Sequence, residues 1–450
     1  MYFLYSVLLT FGFVLLLPRF AIDALRNGKY VTGLRQRLGD IPHIESDGRP
    51  TIWLHCVSVG EAQAAMSLVR RLKDTFPNYT LVVSTTTVTG QRLAQTIFKQ
   101  QAAAIFYFPI DWAWTVARVL RKINPAAIFI METELWPNLF QAARKRDIPI
   151  TLLNGRISDK SFRRYKRIRP FISRVLNALT LATMQSQRDA QRIRELGLAV
   201  SRIVAVGNLK FDSAGSAADD KLTNQIRERF SFTDDRPLFV AASTHEPEES
   251  VVLNAFRAVR KSHPNLRLLL APRHPERFAE VAALLTGSEF SMARRSTPAA
   301  NDDSLADMVL LDSIGELGAV FPLARIAFIG GSIAAHGGHN VIESAAYGVC
   351  TITGPHTSNF AAITKALLAE EALVQLSDTP NAAAELAEVV EKLLSDTRRR
   401  AEIGERARAV CDANRGATGR TLELLSPILE ARATTAYEAP APAVQTAIAK

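Results

Sequence analysis

The sequence contains few cysteines, and their scarcity argues against two kinds of stabilising site. Its three cysteines, Cys56, Cys350 and Cys411, are far apart and form no CxxC pair. Structural zinc sites and disulfide frameworks need cysteines at short, recurring spacings, so we predict neither. This usage fits a reducing compartment best.

Aromatic residues are also scarce, at 8% of the chain. Single-stranded nucleic acids are bound by aromatic side chains on which successive bases stack, and no such series accompanies the basic segments. The chain nevertheless carries 54 Lys and Arg against 44 Asp and Glu, a formal charge of +10, which implies an anionic partner. Because nucleic acid is the less attractive choice, a membrane surface or a phosphorylated substrate is favoured.

Charge is absent from residues 1–17, MYFLYSVLLTFGFVLLL, which end at Pro18. This run has about the minimum length that crosses a bilayer. A signal peptide would show a basic start and a small-residue cleavage site, so a retained membrane anchor over residues 1–20 is favoured over a signal peptide or a core helix. The basic residues that follow are Arg19, Arg26, Lys29, Arg35 and Arg37. By the positive-inside rule they keep the remainder of the chain in the cytoplasm, where they can also contact anionic headgroups.

From about residue 50 the pattern alternates between strand and helix, which is typical of doubly wound parallel sheets. The apolar runs that predict strands are TIWLHCV, TLVVSTT, AAIFYF, AAIFIM, PITLLN and RIVAVG in the first half and PLFVAAST, LRLLLAP, MVLLDS, RIAFIGG and VCTITG in the second. A chain of 450 residues is long enough for two such domains. We predict a Rossmann-like domain over 21–212, a linker with a charged helix over 213–235, a second Rossmann-like domain over 236–430 and a disordered tail over 431–450. Two such domains facing a central cleft form the GT-B architecture, an α/β fold.

The segment that organises the first domain is TIWLHCVSVGE, residues 51–61, which predicts a strand, a tight turn and the start of a helix. Such a turn lies at the carboxyl end of a parallel sheet, where open α/β folds bind their ligands. The turn offers Glu61 as a candidate catalytic carboxylate. The alternative is a Glu that only stabilises the helix dipole.

Two further carboxylates, Glu132 and Glu134, end a strand in AAIFIMETELWPN. Alternation along an extended segment would place them on one side, where mutual repulsion raises the pKa of at least one and suits proton handling. Residues that merely enter the next helix are the alternative. Downstream, eight of the nineteen residues in 156–174 are basic. This run forms either a solvated face or a surface for a phosphorylated lipid.

In the second half, two glycine pairs in GGSIAAHGGHNVIE follow a strand and precede an apolar helix that we expect to begin near Asn340. Backbone amides of glycine loops and of helix N-termini bind phosphate. Ser243 and Glu246 have the spacing of a capping box, and Arg273 follows another strand end. Together these loops predict a nucleotide phosphate site, with Glu343 suited to ribose hydroxyls. Ordinary turn chemistry and an ordinary helix carboxylate are the alternatives.

In combination and order, these segments resemble the 3-deoxy-D-manno-octulosonic acid (Kdo) transferases of lipopolysaccharide biosynthesis. The resemblance extends from the first residue to about residue 430, and the motifs that carry it are WLHCVSVGE, STTTVTG, METELWPN, NGRISDKSFRRY, GNLKFD, STHEPEE, APRHPER, GGSIAAHGGHNVIE and GPHTSNF. It implies a GT-B glycosyltransferase anchored on the cytoplasmic face of the inner membrane. The implied donor is CMP-Kdo, and the implied acceptor is the tetraacylated disaccharide bisphosphate precursor of lipid A. The resemblance also implies inversion at the anomeric carbon without a metal or other cofactor, and the chain has no DxD motif.

Carried over residue by residue, the resemblance places the general base on Glu61 and the paired carboxylates on Glu132 and Glu134. The implied donor-binding residues are His245, Arg273, Ser332, Gly337, Gly338, Asn340, Glu343 and Asn359. Charge alone suggests as acceptor-binding residues Arg156, Arg163, Arg164, Lys166 and Arg167. A helix N-terminus weakens Glu61 as a base, so partial burial has to offset that effect.

Two other functions fit part of the pattern. One is a membrane-associated GT-B transferase that uses a UDP-sugar and a lipid acceptor, and the base bound in the donor pocket distinguishes it. The other is a catalytically inactive lipid-binding scaffold. An intact Glu61 and an intact Arg273 loop argue against a scaffold.

Overall fold

The computed structural model describes residues 1–27, 33–44, 47–213 and 220–437, without the side chains of residues 16–27, 213, 362 and 433–437. The chain divides into two compact units. Unit 1 comprises Met1–Ser213 and Arg415–Lys450, and unit 2 comprises Ala214–Asn414. Each has its own parallel sheet, as the alternating pattern predicts.

Unit 1 contains a seven-stranded sheet in the order β3-β2-β1-β4-β5-β6-β7. Its strands are β1 (Thr51–His55), β2 (Thr80–Thr85), β3 (Ala104–Tyr107), β4 (Pro125–Met131), β5 (Ile150–Gly155), β6 (Leu181–Met184) and β7 (Ile203–Ala205). Strand β6 is absent from the sequence prediction because LATM is short and mixes polar and apolar residues. All pairings are parallel. Since helices cover both faces of such a sheet, its central strands are buried throughout rather than on alternate residues.

The helices of unit 1 are α1 (Tyr2–Asn27), α2 (Leu34–Arg37), α3 (Val59–Thr75), α4 (Val88–Ile97), α5 (Ala113–Ile123), α6 (Pro137–Arg144), α7 (Asp159–Arg167), α8 (Arg169–Leu176), α9 (Gln187–Glu195), α10 (Lys210–Ser213) and α19 (Ala417–Tyr437). Their apolar faces bury the two sides of the sheet in separate clusters. One cluster is centred on Trp53, Phe106 and Phe140, and the other on Leu54, Leu68 and Phe129.

Helix α1 covers the predicted anchor and continues past Pro18 to Asn27. Within the described part of the chain, none of the helices combines the length and apolarity that a bilayer span requires. The anchor therefore stays a prediction, and the side chains of its last five residues, 16–20, lie outside the described part. Arg37, one of the basic residues after the anchor, donates to the Thr86 carbonyl at 2.6 Å and lies over the Tyr107 ring, so it belongs to the body of unit 1.

The predicted carboxyl-terminal boundary at residue 430 is wrong. Helix α19 returns to unit 1, where Leu425 and Leu429 are fully buried in the cluster that contains Leu54. The Tyr79 hydroxyl also bonds to the Leu429 carbonyl. Residues 431–437, assigned to a disordered tail, are the end of this helix, and residues 438–450 lie outside the described residues. The apolar periodicity of α19 predicts a helix but does not specify the sheet against which it packs.

Unit 2 contains a second seven-stranded parallel sheet in the order β10-β11-β9-β8-β12-β13-β14. Its strands are β8 (Leu238–Thr244), β9 (Arg267–Pro272), β10 (Met292–Arg294), β11 (Met308–Leu310), β12 (Ile326–Ile329), β13 (Cys350–Thr353) and β14 (Val374–Gln375). The strands missing from the prediction, β10 and β14, have three and two residues and lie at the sheet edges. Such short edge strands are fixed by pairing with a neighbour rather than by their own pattern.

The helices of unit 2 are α11 (Asp220–Phe230), α12 (Glu248–Val259), α13 (Phe278–Thr286), α14 (Leu317–Val320), α15 (Ile342–Ala345), α16 (Ala361–Ala369), α17 (Ala382–Ser395) and α18 (Thr397–Asn414). Helix α11 falls in the predicted linker over 213–235, of which residues 214–219 lie outside the described part. Its Ile226 and Phe230 are buried, so the charged helix of that segment is part of unit 2.

Candidate active site

The strand order of unit 1 reverses between β1 and β4, which are neighbours in the sheet although β2 and β3 separate them in sequence. Ligands of open α/β sheets bind at such a reversal, beyond the carboxyl ends of the strands. Glu61 lies in the first turn of α3, just after β1, and Glu132 follows β4 directly. The topology therefore brings together two carboxylates that are 71 positions apart in sequence.

Glu61 is buried, with 6% of its surface exposed. Its carboxylate accepts a hydrogen bond from the Val57 amide at 2.7 Å and another from the Ser58 hydroxyl at 3.1 Å. These bonds stabilise the charged form, but burial and the nearby Glu132 and Glu134 oppose it more strongly and raise the pKa of Glu61 to about 8. Burial therefore outweighs the helix N-terminus, and Glu61 is a stronger base than an exposed glutamate.

Glu132 and Glu134 lie in the turn after β4, not on an extended strand, so the alternation argument does not apply to them. Glu132 has a φ of 52°, the left-handed conformation, which ends the strand sharply. Both carboxylates influence the pKa of Glu61, so the turn brings all three together. Burial, and then the Glu132 charge, raise the pKa of Glu134 to about 7.

Sequence reasoning missed Lys210, whose ammonium lies 3.5 Å from a Glu132 carboxylate oxygen. It also lies 3.7 Å from the position that a Cβ on Gly60 would occupy, so it reaches the turn that precedes Glu61. Lys210 occupies the first position of α10, shortly after β7. In the sequence, Lys210 is marked only by its position soon after a strand end. A count of charges does not distinguish such a lysine from lysines on the surface.

Two contacts bring the segment with the proposed acceptor residues near the turn that carries Glu132 and Glu134. The Arg156 backbone amide donates to the Thr133 hydroxyl at 3.1 Å. In α7, Tyr165 lies close enough for the Glu134 charge to contribute to its raised pKa, whose main cause is burial. The basic residues exposed on α7 are Arg163, Arg164, Lys166 and Arg167. The structure thus places the helix that carries a cationic surface near Glu134.

In unit 2 the strand order reverses between β8 and β12. The predicted phosphate-binding amides are there, but they bind a carboxylate of this chain. Glu248, which is fully buried, accepts hydrogen bonds at 2.7 to 3.1 Å from the amides of His245, Gly331, Ser332, Ile333 and Ala334. A Cβ on Gly330 would lie 2.6 Å from the same carboxylate, which explains a glycine there.

One prediction about these loops is wrong, and another stays a prediction. Ser332 is fully buried, and its hydroxyl donates to the Ile329 carbonyl and accepts from the Gly354 amide. The hydroxyl therefore holds the loop, and the placement of Ser332 in the donor site stays a prediction. Ser243 and Glu246 form no capping box, because α12 begins at Glu248 and its cap residue makes no side-chain hydrogen bond.

Four histidines surround the ends of β8 and β9. The His245 ring lies 4.3 Å from that of His336 and 5.0 Å from those of His274 and His339, and Nε2 of His245 lies 2.7 Å from Nε2 of His339. Burial, followed by neighbouring positive charge, lowers the pKa of His245 to about 4 and that of His339 to about 3. Of this cluster, only His245 appears in the sequence prediction.

Arg273 is exposed, and its amide bonds to the Thr244 carbonyl. Its charge contributes to the low pKa values of His245 and His339 and opposes the rise that burial causes in the pKa of Glu343. The guanidinium forms no ion pair within the described residues. Arg277, four residues later, is by contrast paired with Glu249 and Glu280. Arg273 is thus available to an anionic ligand.

The remaining residues predicted to bind the donor are joined by hydrogen bonds. The Asn359 side chain donates to the His336 carbonyl, and the Asn359 backbone amide donates to the Gly337 carbonyl. Gly337 has a φ of 88°, and a Cβ there would lie 2.7 Å from the Asn359 side chain, so only glycine fits.

Asn340 and Glu343 are hydrogen-bonded to each other at 3.0 Å. The helix expected from Asn340 is only Ile342–Ala345, too short for a helix dipole to matter, because α15 ends as the chain turns at Gly348 toward β13. Gly338 donates to the Gly331 carbonyl and so closes the loop on itself.

Among the residues described, no group of three or more His, Cys, Asp and Glu is arranged to hold a metal ion. The chemistry that the side chains themselves supply is a buried carboxylate base in unit 1. In unit 2 they supply the Arg273 guanidinium and a cluster of four histidines next to a closed glycine loop.

Comparison with known proteins agrees with this arrangement. The family model for 3-deoxy-D-manno-octulosonic-acid transferase (kdotransferase) matches residues 32–213. The 3-deoxy-D-manno-octulosonic acid transferase of Haemophilus influenzae is 34% identical over 429 residues, which cover 95% of this chain and 99% of that protein.

Solved structures resemble the chain as well. UDP-GlcNAc 2-epimerase from Neisseria meningitidis is 12% identical with a TM-score of 0.55 over 84% of this chain and 100% of that chain, a likeness of fold alone. The C-terminal CMP-Kdo binding domain of WaaA from Acinetobacter baumannii is 29% identical and covers 42% of this chain and 96% of that chain. Its TM-score of 0.38 is too low to compare the folds. The identity to the Haemophilus protein over nearly the full length of both chains shows that this chain belongs to the 3-deoxy-D-manno-octulosonic acid transferase family.

Proposed function

We propose that the protein transfers Kdo from CMP-Kdo to the 6′-hydroxyl of the tetraacylated lipid A precursor in lipopolysaccharide biosynthesis, with inversion at the anomeric carbon. The observation that carries the mechanism is Glu61, a buried carboxylate with a pKa of about 8 at the sheet reversal of unit 1. A general base works best when its pKa lies near the operating pH.

In the proposed reaction, Glu61 accepts the proton of the acceptor hydroxyl. The oxygen of that hydroxyl forms a bond to the anomeric carbon of Kdo, while the bond from this carbon to the phosphate oxygen breaks and CMP leaves with the electron pair. The Lys210 ammonium lies 3.5 Å from Glu132 and partly offsets the negative charge that this carboxylate places near Glu61.

We place the donor on unit 2. Arg273 faces no carboxylate partner within the described residues and can bind the donor phosphate through two parallel charge-assisted bonds. As CMP departs, negative charge grows on that phosphate, and a fixed guanidinium stabilises it. Asn340 and Glu343 then contact the nucleoside, with His245, Gly337, Gly338 and Asn359 shaping the pocket.

We place the acceptor phosphate on the cationic surface beside Glu134. The residues that would contact it are Arg156, Arg163, Arg164, Lys166 and Arg167, as the sequence suggests. This surface and the predicted anchor of residues 1–20 support an enzyme on the cytoplasmic face of the inner membrane, where membrane lipids are its neighbours. We further propose that the chain has the GT-B architecture and that no metal takes part, since the chain lacks a DxD motif.

Mass spectrometry of the products tests the proposal directly. The full-length protein is incubated with purified tetraacylated acceptor and CMP-Kdo, with and without EDTA, and in parallel with UDP-sugars. We expect one or more Kdo masses to be added with CMP-Kdo, unchanged by EDTA, and no product with UDP-sugars. A product formed from a UDP-sugar, or none from CMP-Kdo, would contradict the assignment.

A further inference from the structure

Helix α1 makes specific polar contacts with unit 1 that a simple membrane tether does not need. The Ser6 hydroxyl accepts a hydrogen bond at 3.0 Å from the Asn138 side chain. The same Asn138 side chain donates to the Asp111 carbonyl. Ser6, Asn138 and Asp111 therefore form one connected network. Tyr5 lies near it, since burial, and then the Asp111 charge, raise the pKa of its hydroxyl.

This network ends on the amino terminus of α6. The buried Asp111 carboxylate accepts bonds at 2.9 Å from the amides of Asn138 and Leu139, which have no partner within their own helix. Asp111 thus caps α6 from another loop. Only Leu135 and Trp136 separate Glu134 from the first residue of α6. The position of this helix start therefore determines the position of the turn that carries Glu132 and Glu134.

Apolar contacts hold the same face of α1. Tyr2 and Tyr5 pack against Phe171 with ring centroids about 6 Å apart, and Phe13 packs edge-on against Trp112 at 5.1 Å. Trp112 is the residue directly after Asp111. The inner face of α1 is therefore fixed to unit 1 at both ends of its described segment.

The opposite face of α1 is apolar and exposed. Its residues recur at helical spacing, and those more than 50% exposed include Phe3, Leu4, Leu8, Phe11 and Leu15. A helix with one face packed on protein and an apolar outer face presents that outer face to lipid. One helix thus touches lipid on one side and the catalytic domain on the other.

We propose that α1 positions the Glu132–Glu134 turn through the Ser6–Asn138 hydrogen bond, so that it is a structural part of the acceptor-side site as well as a membrane contact. Ser6 and Asn138 are positioning residues, since neither is among the groups assigned to substrate. This inference rests on the transfer reaction proposed above.

The test uses matched hydroxyl variants of the full-length protein in detergent, with purified acceptor and CMP-Kdo. Ser6→Ala removes the hydroxyl that bonds to Asn138. Thr10→Ala removes a hydroxyl of the same helix that donates to the Ser6 carbonyl within α1. We expect Ser6→Ala to lower kcat about 10-fold, the scale of a small misplacement of a catalytic group, with an unchanged KM for CMP-Kdo and unchanged CMP binding. Thr10→Ala should match the wild type.

Asn138→Ala and the double variant Ser6→Ala/Asn138→Ala complete a double-mutant cycle. If the hydroxyl acts through Asn138, the double variant loses no more kcat than Asn138→Ala alone. A Leu8→Ser variant on the outer face should bind vesicles less well yet keep its kcat in detergent. Equal kcat for Ser6→Ala and Thr10→Ala, or a Ser6→Ala defect confined to vesicles, would overturn the inference. An inactive wild type would instead contradict the proposed reaction.

Discussion

Glu61 combines two properties that oppose each other in a general base. Its carboxylate caps the start of α3 through Val57 and Ser58, which favours the ionised form, while burial near two other carboxylates favours the neutral form. The structure decides the balance in favour of burial. The helix-capping role and the catalytic role, weighed as alternatives in the sequence, belong to the same side chain.

Replacing Glu61 by glutamine tests the base assignment. We expect Glu61→Gln to lower kcat by about 10²- to 10⁴-fold, the usual contribution of a general base, and to leave CMP binding by calorimetry unchanged. The variant also has a folding control. Folding raises the pKa of Glu61 above its ordinary value, so the wild type loses stability as the pH rises toward 8. Glutamine does not titrate, so Glu61→Gln should unfold at a higher temperature than the wild type at pH 8.5. A variant that is folded and fully active would contradict the mechanism.

The pH dependence of kcat/KM gives a second prediction for the same residue. Only the ionised form accepts a proton, so kcat/KM should rise with pH and approach a plateau above about pH 8. Glu134→Gln removes a negative charge that raises the pKa of Glu61, so it should move this rise to lower pH. Rates measured from pH 6 to pH 9 at saturating acceptor check both. A flat profile, or a shift to higher pH in Glu134→Gln, would exclude Glu61 as the titrating base.

The glycine loop after β12 directs several backbone amides at a carboxylate of the chain itself. Gly331, Ser332, Ile333 and Ala334 present their amides to one point, and Glu248 occupies that point. This carboxylate joins the start of α12 to the loop that carries His336 and Gly337. The loop is therefore fixed before any donor arrives.

Removing the Glu248 charge should loosen this loop. Glu248→Gln replaces one acceptor oxygen by an amide donor that faces backbone amides, so we expect the free energy of unfolding to fall by about 3 kcal/mol or more. CMP affinity should fall as well, because Gly337 and Asn359 depend on the loop. Thermal unfolding and calorimetry measure the two effects, and Glu246→Gln, at an exposed neighbouring position, serves as the control. If the two variants unfold at the same temperature and bind CMP equally, the hydrogen bonds from the backbone amides to Glu248 do not stabilise the loop.

At the scale of the whole molecule, the chain passes from unit 1 to unit 2 and back again. Its last described helix, α19, closes the core of unit 1, so neither unit is a simple half of the sequence. Arg415 and the residues after it belong to the domain that carries Glu61. Truncations near residue 430 would therefore cut within a structural element of unit 1.

Ending the chain at residue 414 should destabilise unit 1 and spare unit 2. The three leucines Leu422, Leu425 and Leu429 are buried, and their loss removes roughly 5 to 9 kcal/mol, as much as a whole domain commonly has. Limited proteolysis read by mass spectrometry should find cleavage within residues 47–213, with CMP binding retained. A chain ending at residue 437 keeps all three leucines and should resist cleavage. Equal resistance of both truncations would contradict the role of α19.

The sequence by itself determined the two parallel sheets and the positions of Glu61, Glu132 and Arg273 at strand ends. Apolar periodicity and the turn residues between elements are local properties, and a side chain that follows a parallel strand is brought to the ligand-binding edge whatever else the fold does. The short strands β6, β10 and β14 escaped prediction because pairing with a neighbour, not their own pattern, makes them strands.

Only the tertiary structure decided which groups meet at those edges. Lys210 lies beside Glu132, and Glu248 accepts hydrogen bonds from the amides that were assigned to a phosphate. The histidines lie around His245, and α19 packs against unit 1. Each contact joins residues far apart in sequence or in separate loops. Their partners are selected by burial and by the pairing of charges and backbone amides in three dimensions, which no local periodicity records.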